Sequence, residues 1–486
     1  MPDAMQDAAT LLRHALALHQ QGQLAAAETE YRAVLRMQPQ QFDATHLLGV
    51  IARQRGEFQL AADWIGKAIA IDAGHAIAHG NLGTALQALG RSEAALASHE
   101  RALALKPDYA MAWYNRGNAL RSLERPDEAL QSYARALQLQ PAYAEAWCGQ
   151  GALLQALGRA GAALDSVDRA LRLQPDSPDA LFARGLALHG LQRYEEALLS
   201  YQRAIAVRPV YAEAFFNRGN AFQRLQRHAE ALDSHEQALR LRPGYAGAHR
   251  QRGHALRALG RPEDAIAAYR QALECGAGQD EIGYALAALG AAATPAAAPA
   301  SYVRELFDQY AGHFERHLTE VLAYDMPRLL AAAAGRQLPA AATADVLDLG
   351  CGTGLCGPWL RPFARTLAGV DLSQNMLDKA AAKGVYDHLV CAELGDFLSG
   401  QEDSADLAVA ADVFVYIGDL SAVFGGLRKA LRPRGLLVFS VEAAAEGGAG
   451  FILQPSHRYA HTLAYLRQLA AQHGFAVKAV EECVGR

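Results

Sequence analysis

The sequence predicts an α-helical repeat superhelix followed by an α/β domain with a doubly wound, mostly parallel sheet. Three observations predict it: a 34-residue period over the first 280 residues, an Ala/Pro-rich segment near residue 295, and a glycine-rich turn at 344–357. At 486 residues the chain exceeds one ordinary hydrophobic core, so several domains are expected. A hydrophobic fraction of 51% with 20% charged residues is typical of globular proteins.

The 34-residue period is carried by three residue types, each with its own physical role. Proline ends a helix because it has no N–H for the next backbone bond, glycine allows a neighbouring helix to approach, and alanine pairs with a large residue four positions later. The prolines are Pro39, Pro107, Pro141, Pro175, Pro209 and Pro243, the glycines are Gly49, Gly83, Gly117, Gly151, Gly185, Gly219 and Gly253, and the alanines run from Ala27 to Ala265. Between the two helices of a unit stands a turn glycine in five units, and Glu124, Gln192 or Gln226 in three others. The pattern predicts stacked helix pairs.

This periodicity resembles that of the tetratricopeptide repeat (TPR) family over about residues 8–279, as eight phased units within a predicted array at 1–279. The resemblance implies a right-handed superhelix with a concave groove, and a protein or peptide partner in that groove. Asn81, Asn115 and Asn217 share one position of the unit. Two interpretations stay open: such asparagines grip an extended peptide, or they are solvated polar positions on the inner helices.

After the last repeat, residues 280–300 are predicted to form a capping helix and an Ala/Pro linker. The predicted α/β part covers 301–486, with a lid helix at 301–330 and a core at 344–486. Leu306, Tyr310, Phe314 and Leu318 recur at helical spacing in the lid segment. An ordinary amphipathic helix would show the same pattern.

The segment ADVLDLGCGTGLCG at 344–357 predicts a strand, a glycine turn and a helix beginning near Cys356. Gly350, Gly352 and Gly354 let the backbone approach a ligand, and the helix N-terminus offers N–H groups to an anion. Further strands are predicted at 366–373, 388–392, 406–412, 434–442 and 474–484, with helices between them. The alternation predicts a doubly wound sheet. Its final antiparallel strand is predicted to be missing, which would leave an unpaired edge.

Gly352, Gly354 and Gly357 also satisfy the dinucleotide-binding pattern G-x-G-x-x-G, which alone is ambiguous. Asp348 precedes the first loop glycine by two residues, S-x-x-M-L follows Asp371, and L-R-P-R-G stands at 431–435. Together these features resemble class I S-adenosylmethionine (AdoMet)-dependent methyltransferases. The segments L-F-D-x-Y-A, D-L-G-C-G-T-G, A-A-D-V-x-V-Y and R-Y-A-H further resemble bacterial predicted methyltransferases with N-terminal TPR arrays.

The resemblance implies AdoMet as cofactor and assigns residues to it. Asp348, Gly350, Gly352 and Gly354 would hold the methionine end, and Asp371 would accept hydrogen bonds from the ribose hydroxyls. The remaining contacts would come from these residues: Leu372 and Met376 beside the adenosine, Glu393 at the adenine amino group, Leu394 against the ring, and Tyr310 from the lid.

The acceptor side is expected on the loops after the fourth and fifth strands and on the last helices. The candidates there are Asp412 and His461 for catalysis, and Tyr416, Arg458 and Tyr459 for the acceptor. His461 is either a general base or a hydrogen-bonded structural histidine. Arg458 alternatively clamps an acidic acceptor.

Several function classes are disfavoured by the sequence. A net charge of −5 gives no reason to expect nucleic-acid binding. The six cysteines lack metal-ligand spacing, so no metal site is expected. No signal peptide or membrane span is evident, so a cytoplasmic protein is expected. The leading hypothesis is an active methyltransferase with a partner-binding repeat arm. A TPR scaffold with a degenerate AdoMet-binding domain and a nicotinamide oxidoreductase are the alternatives.

Overall fold

The computed structural model describes residues 2–311, 314–316, 318, 324–338, 343–445 and 447–483. The chain forms two compact units, Met1–Pro243 and Gly244–Arg486. No helix in the described part of the chain is long and apolar enough to cross a membrane.

The first unit consists of helices that pack in antiparallel pairs, each odd-numbered helix against the one that follows it. The helices are α1 (Pro2–Gln20), α2 (Leu24–Met37), α3 (Phe42–Gln54), α4 (Phe58–Ile71), α5 (Ala76–Ala88), α6 (Ser92–Leu105), α7 (Ala110–Ser122), α8 (Pro126–Leu139), α9 (Ala144–Ala156), α10 (Ala160–Leu173), α11 (Pro178–Gly190), α12 (Tyr194–Val207), α13 (Ala212–Arg224) and α14 (His228–Leu241).

The phased glycines lie where the sequence predicts a close helix approach. A Cβ on Gly117 would stand 2.6 Å from the Tyr133 ring, and one on Gly83 would stand 2.5 Å from the ring of His99. Tyr133 and His99 are fully buried. The glycine of the first helix therefore makes room for the large residue of the second.

The turns between paired helices share one backbone conformation, whatever residue occupies them. Gly22, Gly56, Gly90 and Gly158 have φ between 71° and 79°. Glu124, Gln192 and Gln226 adopt φ of 56°, 60° and 58° at the same unit position. Only glycine enters this left-handed region without a steric penalty, so three turns of the first unit are strained.

The second unit contains three helices of the repeat type and an α/β domain. Its helices are α15 (Ala246–Ala258), α16 (Pro262–Glu274), α17 (Gln279–Ala288), α18 (Ala300–Tyr310), α19 (Phe314–Arg316), α20 (Met326–Gly335), α21 (Gly357–Leu360), α22 (Gln374–Ala382), α23 (Leu394–Ser399), α24 (Ser421–Ala430) and α25 (Leu463–Gln472). Its strands are β1 (Ala344–Leu349), β2 (Ala364–Asp371), β3 (His388–Cys391), β4 (Ala405–Ala410), β5 (Leu431–Phe439), β6 (Glu442–Ala443), β7 (Phe451–Leu453) and β8 (Tyr459–His461).

The main sheet has the order β3-β2-β1-β4-β5, and every pairing in it is parallel. The burial of all six β1 residues is typical of a central strand covered on both faces. One face packs against α23, α24 and α25 through Leu398, Phe424 and Leu469. The other packs against α20 and α21 through Leu330 and Leu360. The predicted α/β fold class is confirmed.

Two local predictions were wrong. Residues 475–483 form no strand, since no other segment in the described part of the chain pairs with them, and Val477 and Val480 are about half exposed. The segment 301–330 is not one helix: α18, α19 and α20 are separate, and Pro327 stands in the first turn of α20. The predicted helix after the glycine turn does begin next to Cys356, at Gly357, but it is the single turn α21, followed by a 3-10 turn that contains Pro362.

A small sheet that the sequence analysis did not predict lies beyond β5. Its order is β6-β8-β7, with β8 parallel to β6 and antiparallel to β7. The residues 454–458 connect β7 to β8, and we call them the β7–β8 loop. This loop brings Arg458 to the carboxyl edge of the main sheet.

Candidate active site

A cavity of about 390 Å³ opens at the carboxyl edge of the main sheet. Its walls come from the ends of β1, β2, β3 and β4, from α18, and from the segment that precedes α18. This edge is the usual ligand-binding side of a doubly wound sheet. The predicted site residues that line it are Gly350, Gly352, Asp371, Leu372, Glu393, Leu394, Asp412, Tyr416 and Arg458.

The glycine turn after β1 forms the floor of the cavity. Gly352 has φ of 55°, and a Cβ there would point into open space, with the Phe314 ring as its nearest neighbour at 3.9 Å. Gly350 and Gly354 also have positive φ, but a Cβ on them would meet Val413 and Tyr386 instead. Of these three glycines, Gly352 is the one at which a side chain would project into the open cavity.

Asp371 closes one side of the cavity at the end of β2. Its Oδ2 accepts the Gly352 N–H at 2.9 Å, and its Oδ1 accepts the Ser373 N–H at 2.9 Å. Burial raises the pKa of this carboxyl, although the two backbone donors partly offset that rise. Each oxygen keeps a second lone pair, so the carboxylate can accept two hydroxyl groups from a ligand.

Asp348 lies one layer deeper, fully buried beneath the turn. Its Oδ2 accepts the hydroxyl of Tyr386 at 2.6 Å, while its Oδ1 has no hydrogen-bond partner among the described residues. Burial raises its pKa to about 7, and the nearby Asp371 adds to the rise. It does not line the cavity, so it supports the turn from below.

The remaining predicted cofactor residues separate into two groups. Glu393 lines the cavity, but its Oε2 caps α23 by accepting the N–H groups of Gly395 and Asp396. Met376 is buried and lies outside the lining. The side chain of Tyr310 lies outside the described residues, while Leu306, Phe314 and Leu318 of the same spacing do line the cavity.

Both ends of α22 are also tied to the segment before the sheet. Ser373 caps α22 by accepting the Met376 N–H, and its hydroxyl donates to Asp308 of α18. Glu315 of α19 pairs with Lys383 at 2.6 Å. These contacts hold α18 and α19 against the cavity, as expected for a covering segment.

The opposite side of the cavity carries a cluster of charges around Arg458. Asp412, directly after β4, adopts φ of 55° and is held by Ser440, whose hydroxyl donates to its Oδ1 at 2.9 Å. The Arg458 guanidinium lies 3.6 Å from Asp412 Oδ2 and 2.6 Å from Glu442 Oε1. Arg458 is therefore balanced by two carboxylates, which weakens the idea that it clamps an acidic acceptor.

His461 and Tyr459 do not line this cavity. The Nε2–H of His461 donates to the carbonyls of Ile417 and Gly418, at 2.9 and 3.0 Å. Its Nδ1 has no partner within the described chain, and burial lowers its pKa. The geometry favours the structural interpretation of His461, and its role as a base stays a prediction.

The Ala/Pro segment before α18 is part of the site and not a free linker. The Ala296 carbonyl accepts the N–H groups of Gly418 and Asp419, and the Ala298 N–H donates to the Tyr416 carbonyl. We call residues 295–299 the strap. Ala297 and Ala298 line the cavity. The composition of the strap indicated only a linker. Its contacts are made by backbone groups of alanines, and such contacts leave no pattern of side chains in the sequence.

The fold and the cavity thus define a Rossmann-like α/β domain with a ligand site at its carboxyl edge, attached to helical repeats. A family model described as "Methyltransferase domain" matches residues 314–480. Models described as "Tetratricopeptide repeat" match residues 12–76, 110–143, 212–245 and 246–275, and one described as "TPR repeat" matches 88–123 and 190–226. The chain carries N-terminal TPR repeats and a C-terminal methyltransferase domain.

Curated relatives match parts of the chain. A biotin biosynthesis bifunctional protein, BioHC of Saccharophagus degradans, is 36% identical over 20% of this chain and 18% of its own. Methyltransferase-like protein 27 of Homo sapiens is 34% identical over 24% of this chain and 45% of its own. A malonyl-acyl-carrier-protein O-methyltransferase of Salmonella typhimurium is 28% identical over 28% and 51%. The chain spans about half or less of each of these three relatives.

Proposed function

We propose that the protein is an AdoMet-dependent methyltransferase whose TPR repeats bind a protein or peptide partner. The observation that carries the proposal is the pairing of Gly352 with Asp371. The Asp371 carboxylate holds the amide of a glycine whose missing side chain leaves the cavity floor open. A ribose beside Asp371 and a backbone approach at Gly352 fit this arrangement.

Different residues along the cavity would bind different parts of AdoMet. Gly350 and Gly352 would admit the methionine end, Asp371 would orient the ribose, and Leu372 and Leu394 would contact the base. When bound, AdoMet supplies a methyl group already activated on a sulfonium. The chain then has to bind, orient and exclude water, which is the larger part of catalysis for such a donor.

The acceptor would enter on the side of Asp412, Tyr416 and Arg458. If the acceptor must lose a proton, Asp412 would accept it, with Ser440 and Arg458 holding that carboxylate in place. The relatives favour oxygen acceptors, since they include malonyl-acyl-carrier-protein and ubiquinone biosynthesis O-methyltransferases. Carboxyl and hydroxyl acceptors are therefore the first to assay.

Calorimetry tests the cofactor directly. We expect AdoMet and S-adenosylhomocysteine to bind with micromolar affinity and NAD not to bind. Binding of NAD alone would overturn the proposal in favour of a nicotinamide oxidoreductase. For the acceptor, the full chain is used to capture partners, and the captured proteins and their bound small molecules are assayed for methyl transfer.

The second candidate is a TPR scaffold whose AdoMet-binding domain is inactive. Its support is that residues 475–483 add no strand beyond β5 and that Arg458 is already neutralised. Binding of S-adenosylhomocysteine without turnover on any captured partner would favour this candidate.

A further inference from the structure

The β7–β8 loop contacts two helices within the second unit: α15 of the last repeat, and α17, which follows that repeat. Tyr284 of α17 is buried, and its hydroxyl donates to the His457 carbonyl at 2.7 Å. Arg257 of α15 donates to the Pro455 carbonyl at 3.1 Å. Two carbonyl groups of the loop thus accept hydrogen bonds from side chains of α15 and α17.

His457 sits in a strained position within this contact. Its φ of 65° lies in the left-handed region, and the residue is buried, with only 4% of its surface exposed. The ring lies between Tyr284 and Tyr302, with centroid distances of 5.4 and 5.7 Å, and its Nδ1 hydrogen-bonds the Tyr302 hydroxyl at 3.1 Å. A strained residue persists only where its surroundings hold it, and here the surroundings are the two tyrosines.

The residues that follow His457 belong to the cavity. Arg458 lines it and pairs with Asp412 and Glu442. Tyr459 donates to the Pro295 carbonyl at 2.8 Å, which fixes the start of the strap. Three successive residues therefore link these features: His457 contacts α17, Arg458 lines the cavity, and Tyr459 contacts the strap.

We propose that Tyr284 and Tyr302 are positioning residues for Arg458, so that the two helices that follow the last repeat set the geometry of the acceptor side. The mechanism is local: the Tyr284 hydroxyl fixes the His457 carbonyl, Tyr302 fixes its ring, and the left-handed turn directs Arg458 toward Asp412. This inference rests on the proposed function, since it assigns the acceptor side to that cavity.

Hydrogen exchange on the full chain tests the positioning. In Tyr284→Phe the hydroxyl is lost with the ring retained, and we expect amides of 454–461 to exchange at least tenfold faster, with β1 and β2 unchanged. The matched control is Tyr133→Phe, because Tyr133 is equally buried and donates to Asn118 Oδ1 at the same 2.7 Å. Unchanged exchange at 454–461 in Tyr284→Phe would overturn the proposal.

A spectroscopic signature separates positioning from general loosening. The Nε–H resonance of Arg458, assigned by its loss in Arg458→Lys, should shift or broaden in Tyr284→Phe and stay in place in Tyr133→Phe. An unmoved resonance contradicts the proposal. If Tyr284→Phe does not fold, Tyr302→Phe removes a single contact to the His457 ring and is judged by the same two measurements.

Binding of S-adenosylhomocysteine keeps the two proposals apart. We expect its Kd to change less than threefold in Tyr284→Phe, because Gly352 and Asp371 lie on the other side of the cavity. Absence of binding to the unmodified chain would refute the proposed function, whereas normal binding with an unmoved Arg458 would refute only the positioning.

Discussion

The buried carboxyl of Asp348 should make the methyltransferase domain less stable as the pH rises. Its pKa in the folded chain is about 7, against about 3.9 in an unfolded chain. Between these values the folded state holds a proton that the unfolded state has released, so the free energy of unfolding falls as the pH rises from about 4 to 7. Three pKa units correspond to about 4 kcal/mol, of which about 2.6 kcal/mol accumulates between pH 5 and pH 8.

Asp348→Asn removes this dependence because an amide does not titrate. The amide oxygen can still accept the Tyr386 hydroxyl, but its NH₂ group would replace Oδ1, which has no partner in the described chain. Burying that donor costs about 1–3 kcal/mol at every pH. The variant should therefore be less stable than the unmodified protein at pH 5, and should gain about 2–3 kcal/mol on it by pH 8.

Urea unfolding at the two pH values measures this difference. Trp359 reports on the second unit when the other three tryptophans, Trp64, Trp113 and Trp147, are replaced by Phe. Asp345→Asn is the matched control in the same strand, because the Arg365 guanidinium holds the pKa of Asp345 far below its usual range. Its loss of stability should be equal at pH 5 and 8. If the difference between Asp348→Asn and the unmodified chain were also equal at both, the reasoning would be refuted.

Further predictions concern the cavity and the repeats. Asp371→Asn should weaken S-adenosylhomocysteine binding about 10- to 100-fold, which corresponds to the loss of a hydrogen bond to a charged group, whereas Asp378→Asn, at an exposed position, should leave binding unchanged. Equal Kd values for Asp371→Asn and the unmodified chain by calorimetry would contradict the ribose assignment. Gly352→Ala should leave the domain folded, at a cost of about 1–2 kcal/mol for its left-handed φ, yet lower that affinity at least tenfold; full affinity would mean the cavity floor lies elsewhere. Glu124→Gly should stabilise the first unit by about 1 kcal/mol by relieving a left-handed turn, measured by urea unfolding at 222 nm; a loss of stability would show that the turn is not strained.

Sequence periodicity was sufficient for the repeats because each unit repeats the same local contact. The glycine at Gly117 and the ring of Tyr133 are sixteen residues apart in one helix pair, so the pattern contains both partners. The glycine turn and the acid at Asp371 were predictable for a related reason: their spacing follows from one strand–helix–strand unit.

The features that the sequence did not predict depend on long-range contacts. The strap is held by backbone groups of Gly418 and Asp419, more than a hundred residues away. His461 was a candidate base because its side chain titrates near neutrality, but its partners are backbone carbonyls that no side-chain pattern marks. The strand predicted at 474–484 had suitable residues, but no segment in the described part of the chain pairs with 475–483.

The strap limits how freely the two kinds of domain can be exchanged between proteins. A methyltransferase domain beginning at residue 301 would lack Ala296 and Ala298, so the N–H groups of Gly418 and Asp419 would lose their acceptor and one wall of the cavity would open. A recombination event or a designed chimera that changes the repeats would have to join upstream of Pro295. The strap and the methyltransferase domain would then be kept together as one module. The number of repeats could change only in the helices that precede the strap.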